Sequence, residues 1–380
     1  MNLNSYVDVH VLQTVPPSNL NRDDTGSPKQ AIYGGARRAR VSSQAWKRAT
    51  RLAFVAQVPT TTLATRTKKI VGLLANQLTE AAGLDATAAT RVSAALLAPL
   101  GISRGKRSEE TAYLLFFGRM QLRGLVEMVA PHAQELAAMN DGALEKAAGN
   151  FPIKDYLATG HPIDVALFGR MVADMADLNV DAATQVAHAL STHAVETEFD
   201  YFTAVDDENP RDETGAGMIG TVEFNSATLY RFATVGLHQL LENLGGDIEA
   251  TAAALEVFLN AFVFSMPSGH ETSFAHRTLP RLVSVVLRDD QPINLVSAFE
   301  APVRGGEGLA AASAERLATE MLNTRIWGRT PAAVASTFTM PDETGVSEPM
   351  REAFGLPLPF PEVVATIVSA ARERLNTKAA

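Results

Sequence analysis

The chain has 380 residues and no cysteine, with 46% hydrophobic and 20% charged residues, which excludes wholesale disorder, a disulfide framework, a thiolate metal site and a cysteine nucleophile. The net charge of −9 hides an asymmetry: residues 1–55 carry eight Lys and Arg against three acids, and the remainder 25 against 39, which predicts a local anion-binding surface on an acidic body. The N-terminus lacks the basic start and apolar core of a signal peptide, and no apolar run reaches the ~18–20 residues of a membrane span, so a soluble, cytoplasmic protein of two or three modules is expected.

Residues 3–12 alternate, with Leu3, Ser5, Val7, Val9 and Val11 on one side and Asn4, Tyr6, Asp8, His10 and Leu12 on the other. This predicts a half-buried strand ended by Pro16-Pro17. Residues 18–41 lack periodicity and read as a long loop. Ser42 or Ser43 caps a helix that runs to about Gln57. Residues 60–195 are alanine-rich and read as an all-α insertion. Glu198–Val205 and Met218–Thr234 read as strands around an acidic loop, 206–217. A helix over Asp247–Phe264, a strand over Arg281–Arg288 and helices over Ala310–Asn323 and Pro361–Leu375 complete the chain. Without the insertion the order is strand, helix, strand, strand, helix, strand, the split βαβ plan of ferredoxin-like and RNA-recognition modules.

The helix at Ser42 carries the strongest chemical signal. Gln44, Lys47, Arg48 and Arg51 fall at i, i+3, i+4 and i+7 and form one cationic stripe. Ala45, Ala49, Leu52, Ala53 and Ala56 form the face expected to pack on the sheet. Arg37, Arg38 and Arg40 precede a helix start whose free N–H groups suit phosphate. A solvated helix face is the plain alternative; six basic residues in fifteen positions favour polyanion binding.

Other motifs are weaker. Gly101-Ile-Ser-Arg-Gly105-Lys106-Arg107-Ser108 imitates a phosphate loop, but its spacing is one short and Lys106 is followed by Arg. His188 with His193, and His270-Glu271 with His276, miss the spacing of a zinc helix, and read as core or surface histidines. Asp23 and Asp24 could hold a divalent ion that cleaves RNA, or could simply shape a loop. Tyr201 and Phe202 are adjacent in a strand and point to opposite faces, so one ring on a projecting hairpin is open to a nucleobase or to a protein interface.

Taken in order, Asn21-Arg22-Asp23-Asp24, Lys29, Ile32-Tyr33-Gly34-Gly35, Arg37-Arg38-x-Arg40-Val41-Ser42-Ser43-Gln44, Lys47-Arg48-Ala49, Tyr201-Phe202-Thr203-Ala204-Val205-Asp206-Asp207, Glu223-Phe224-x-Ser226, Tyr230-Arg231 and Glu242-Asn243-Leu244-Gly245-Gly246 resemble the CasC (Cse-type) family. These are the repeated backbone subunits of the type I-E CRISPR Cascade. The resemblance runs from about residue 5 to 300. It implies an α+β fold: a ferredoxin-like, RNA-recognition-like palm in two parts (1–59 and 224–380), a helical fingers insertion (60–195) and a β-hairpin thumb (196–223). It implies a non-catalytic protein without metal or cofactor that polymerises head to tail along a guide RNA (crRNA) and presents it for pairing with target DNA. Large and small Cascade subunits and crRNA-end caps are the other implied partners. Carried onto matching positions, Arg22, Lys29, Ser42, Gln44, Lys47 and Arg51 would hold the RNA backbone. Phe202, Thr203 and Val205, with Met171, would contact bases at a kink. Ala36 stands where the family can have lysine, and Tyr201 where it can have tryptophan. The rival readings are a metal-dependent ribonuclease of related fold using Asp23 or Asp24, and a metabolic enzyme binding a phosphorylated ligand at the Ser42 helix start.

Overall fold

The computed structural model describes residues 4–100, 110–111, 114–172, 175–204, 218–304, 308–339 and 346–379. The basic turn 101–108, the acidic loop 206–217 and Val205 lie outside the described residues. Two compact units emerge: Met1–Phe54, Gln185–Gly236 and Leu255–Ala380 form the first, and Val55–Thr184 with Leu237–Ala254 the second.

The chain begins with β1 (Tyr6–Ser18), β2 (Gln30–Tyr33), β3 (Ala36–Val41) and α1 (Ser43–Ala53). The second unit follows with β4 (Ala64–Thr67), α2 (Ile70–Ala82), α3 (Ala86–Leu97), β5 (Leu115–Gly118), α4 (Arg119–Val129), α5 (Ala133–Ala138), α6 (Asp141–Ala148), α7 (Ile153–Leu157) and α8 (Ile163–Phe168). Next come β6 (Thr184–Val186), β7 (Ala189–Ser191), β8 (Glu198–Ala204), β9 (Met218–Gly236), α9 (Leu237–Asn243), α10 (Ile248–Phe264) and the single turn α11 (Glu271–Phe274). The C-terminal part adds β10 (Leu282–Arg288), α12 (Leu309–Asn323), β11 (Ala333–Phe338), α13 (Glu348–Phe354) and α14 (Phe360–Ala379).

The main sheet runs β11-β10-β1-β9-β7-β3-β2, with every neighbouring pair antiparallel. Within it, β10-β1-β9-β7 is the fourth-first-third-second order of a split βαβ module, with α1 and α10 as its helices. The α+β, ferredoxin-like plan therefore holds, but its second strand is β7. The expected strand at 198–205 is β8, which leaves the main path and pairs only with the first part of β9, Glu198 opposite Phe224 and Ala204 opposite Met218.

Three further expectations change. Residues 18–41 are not structureless: β2 and β3 form a hairpin over Gly34-Gly35, and a Cβ on Gly34 would lie 1.6 Å from the Glu300 carbonyl oxygen. Strand β1 is buried on both faces, because Val7, Val9 and Val11 and also Asp8, His10 and Leu12 have no exposed surface. It continues past Pro16-Pro17, where a register shift between Val15 and Ser18 removes the need for the two missing N–H donors. The insertion is not purely helical. Its helices enclose Leu74, Leu78, Val92, Leu96, Leu122, Val126 and Val129, but β4 and β5 form a ribbon, and residues 189–191 are the β7 strand of the main sheet. Among the described residues no helix is long and apolar enough to cross a membrane.

Because β1 is central, its polar side chains need partners inside the core. The Tyr230 hydroxyl accepts the Leu295 N–H (3.1 Å) and is hydrogen-bonded to His10 Nδ1 (2.9 Å). Burial, followed by the Arg288 charge, lowers the His10 pKa to about 3. Between pH 6.5 and 3 the unfolded chain therefore takes up a proton that the folded chain refuses. His10's contribution to stability is complete above 6.5 and is lost as pH falls, by about 2 kcal/mol between pH 7 and 5. Nearby Asp8, raised to about 6 by burial, has the opposite sign below pH 6. The drop in Tm from pH 7 to 5 should accordingly be smaller in His10→Gln, whose amide can still hydrogen-bond Tyr230, than in the wild type. Equal drops would show that His10 does not set the acid limit.

Candidate nucleic-acid interface

The loop between β1 and β2 is closed by its own side chains. Asn19, buried, donates to the carbonyls of Gly26 and Glu223, both at 2.9 Å. Asp23 Oδ1 accepts from Thr25 N (2.9 Å), Thr25 Oγ1 (2.7 Å) and Ser27 N (3.0 Å). These bonds, the Thr25 hydroxyl first, hold the Asp23 carboxyl below its ordinary range. Arg22 bridges to Pro28, and Lys29 N–H donates to Asn21 O at 2.9 Å. The Asn21 side chain then accepts the Ser42 N–H at 2.9 Å. One small loop thus brings Arg22, Lys29 and Ser42 to the start of α1.

Ser42 is buried and caps α1, its hydroxyl accepting the Ala45 N–H. His188, set aside on spacing, lies here: its Nδ1 accepts the Ser43 N–H at 3.2 Å and sits 3.5 Å from Arg40 NH1. The helix start is therefore less open to phosphate than its sequence suggests, since the N–H groups of Ser42, Ser43 and Ala45 already have partners in the chain. Burial, then Arg40 and Lys29, lower the His188 pKa. The neutral ring this favours accepts at Nδ1 and carries its proton on Nε2.

The buried face of α1 is Trp46, Thr50 and Phe54, one residue on from the expected alanine stripe, a rotation of about 100°. Leu52 is exposed as a consequence. The cause is Arg231 on β9, fully buried, with its guanidinium carbon 3.8 Å from the Trp46 ring and 4.7 Å from Phe262 and with Nη1 2.6 Å from Gln13 Oε1. The rotation leaves Gln44 and Arg48 outward and turns Lys47 and Arg51 to the flank, half-buried. Burial lowers the Lys47 pKa. Of the three arginines ahead of the helix, Arg37 is exposed and Arg40 partly so. Arg38 has no exposed surface and donates to the carbonyls of Ser191 (2.9 Å), Phe299 (2.7 Å) and Glu300 (3.0 Å), so it belongs to the scaffold.

On the β8–β9 hairpin, Phe199 and Tyr201 are exposed on one face. Phe202, on the other, lies across Gly220, where an added Cβ would come within 2.3 Å of its ring. Thr203 is in β8. Met171 belongs to the second unit and is 82% exposed, between buried Arg170 and Val172. Arg170 donates to the carbonyls of Leu178 (2.7 Å) and Leu157 (3.0 Å), and Val172 N–H to Asn179 Oδ1 (2.6 Å), so Met171 is presented on a firmly held bend. Among the described residues no group of three or more His, Asp or Glu side chains is placed to hold a metal ion.

Comparison with known proteins bears on the family and the fold. A family model described as "CT1975-like protein" matches residues 7–354. The fold is similar to a chain of a solved "CRISPR RNA-guided surveillance complex, pre-nicking", with a TM-score of 0.82 and 32% identity over 96% of this chain and 100% of that one. It is also similar to a chain of a "CRISPR RNA-guided surveillance complex", with a TM-score of 0.72 and 28% identity over 96% and 99%. No curated protein sequence is significantly similar to the chain.

Proposed function

The chain belongs to the CT1975-like family, and we propose that it is a non-catalytic, guide-RNA-binding backbone subunit of a CRISPR surveillance complex, of the type I-E Cascade kind. The observation that carries the reading is that one closed loop and one capped helix of the first unit, joined by the Asn21–Ser42 hydrogen bond, bear Arg22, Lys29, Gln44, Lys47 and Arg51. Such a surface binds phosphates whatever the bases, leaving sequence choice to pairing between guide and target. Copies join head to tail along the RNA in the cytoplasm, and the large, small and end-capping subunits assemble on that filament. Asp23, with one carboxylate oxygen taken by three donors, shapes the loop.

Expression beside a CRISPR array tests this directly. The purified protein should carry guide RNA, form oligomers whose length follows RNA length, and leave labelled RNA and paired target uncut in magnesium or manganese. An RNA-free monomer, or cleavage abolished by Asp24→Ala, would contradict it.

Phe202 supplies a further expected result. Stacking on a base contributes about 1–3 kcal/mol when tested by alanine substitution. Phe202→Ala should weaken guide packing or target capture while the Tm of the RNA-free protein barely moves. Gly220→Val should reproduce the loss with the ring still present, because its side chain takes the space the ring occupies. A large fall in Tm with unchanged affinity of the folded fraction would make Phe202 a core residue only.

A further inference from the structure

The turn after α10 is shaped in a way that packing alone does not require. His270 (φ 49°) and Ala275 (φ 43°) both adopt the left-handed conformation, one on each side of the single turn α11. Histidine tolerates this region better than alanine, but neither has glycine's freedom, so the surroundings must hold the turn. They do so at several points. A Cβ on Gly269 would lie 2.4 Å from the Leu20 carbonyl oxygen and 2.6 Å from that of Asn19, so the turn backs onto the chain that leads into Arg22. The Phe274 ring sits 5.8 Å from Phe224 and 6.2 Å from the His270 ring. Glu271 pairs with Arg277.

The strained backbone brings His270 Nε2 to 3.2 Å from Arg22 NH1. A guanidinium only donates, so Nε2 carries the lone pair. We propose that His270 is a positioning residue for Arg22: it holds one N–H of a long, exposed side chain and leaves the other donors facing outward for an RNA phosphate. This inference rests on the RNA-binding reading of the first unit. A neutral acceptor suits the task. A carboxylate at the same point would orient Arg22 equally well but would neutralise it and compete with the phosphate.

The test measures RNA affinity against salt for the full-length wild type, Arg22→Ala, His270→Asn, the double variant, His270→Gln and Lys47→Ala. Asn keeps the left-handed backbone but is too short to reach Arg22, whereas Gln can offer an acceptor oxygen. Arg22→Ala should weaken binding about tenfold and lower the salt slope by about 0.7. His270→Asn should weaken it about threefold with the slope unchanged, since no charge is lost. Arg22→Ala made on top of His270→Asn should then cost only about threefold, the signature of a coupled pair, and His270→Gln should recover most of the loss. Additive losses, or a slope lowered by His270→Asn, would overturn the proposal while Lys47→Ala still weakens binding. If neither Lys47→Ala nor Arg22→Ala changes affinity or slope, the RNA-binding reading fails and this inference goes with it.

Discussion

Replacing Lys29, Lys47 and Arg51 together by alanine should lower the salt slope of RNA binding by about 2, at roughly 0.7 for each single-strand phosphate released from a cation. At about 1.5 kcal/mol for each charge-assisted bond, the low end of their range, the combined loss is on the order of a thousandfold. The loss should be similar on unrelated RNA sequences, because all three side chains stand at the loop and helix that present charge rather than on the aromatic hairpin. Lys47 carries an additional argument. Its ammonium is half-buried and its pKa is lowered by that burial; a phosphate beside it would favour the charged form, so binding should draw a proton onto the protein at high pH. Arg38→Ala is the contrasting variant. Its guanidinium is buried and bound to three backbone carbonyls, so it should lower Tm and leave the slope alone. An unchanged slope in the triple variant, measured by titration between 50 and 200 mM salt, would remove the stripe from the site.

What the sequence disclosed follows from how local each signal is. The β1 alternation, the Ser42 cap, the long β9 and the α10 and β10 patterns lie within single segments, and they mark five of the six elements of the ferredoxin-like order. The strand β7 is three residues long and earns its place only through β3 and β9 on either side, so no window of sequence marks it. The β2–β3 hairpin carries Arg37, Arg38 and Arg40 in place of alternating apolar residues. Counting alanines misplaces the buried face of α1, because a tryptophan stacked on a buried arginine outweighs several methyl groups. His188 and His270 have no partner at metal spacing. Their partners are far along the chain: Ser43 lies 145 residues before His188, and Arg22 lies 248 before His270. Spacing rules cannot see such pairs.

Asp8→Leu should be the most destabilising single change in the first unit, by about 3–5 kcal/mol. Asp8 and Arg288 have no exposed surface, and Asp8 Oδ2 accepts from Arg288 Nε at 3.0 Å and from Ile293 N–H at 2.9 Å. Without the carboxylate, Arg288 keeps only the Arg329 carbonyl at 3.3 Å and the Met321 sulfur at 3.7 Å, far too little for a buried cation. The intact pair is nevertheless no large source of net stability. Burial raises the Asp8 pKa to about 6 against the pull of Arg288, so the contribution of this group is greatest at low pH and falls as pH rises through 6. Desolvation outweighs attraction. The pair's value is then in specifying register, since β10 meets β1 with Val286 opposite Asp8 and Arg288 opposite Tyr6, and a slip of one residue would bury Arg288 away from its partner and turn every β10 side chain to the other face. Asp8→Leu combined with Arg288→Met removes both charges at similar volume and should recover most of the lost stability at pH 7. The two single changes should therefore sum to at least 2 kcal/mol more than the double in denaturant titrations. Strict additivity would mean that Asp8 and Arg288 do not act as a pair, and that the register of β10 is set by its valines alone.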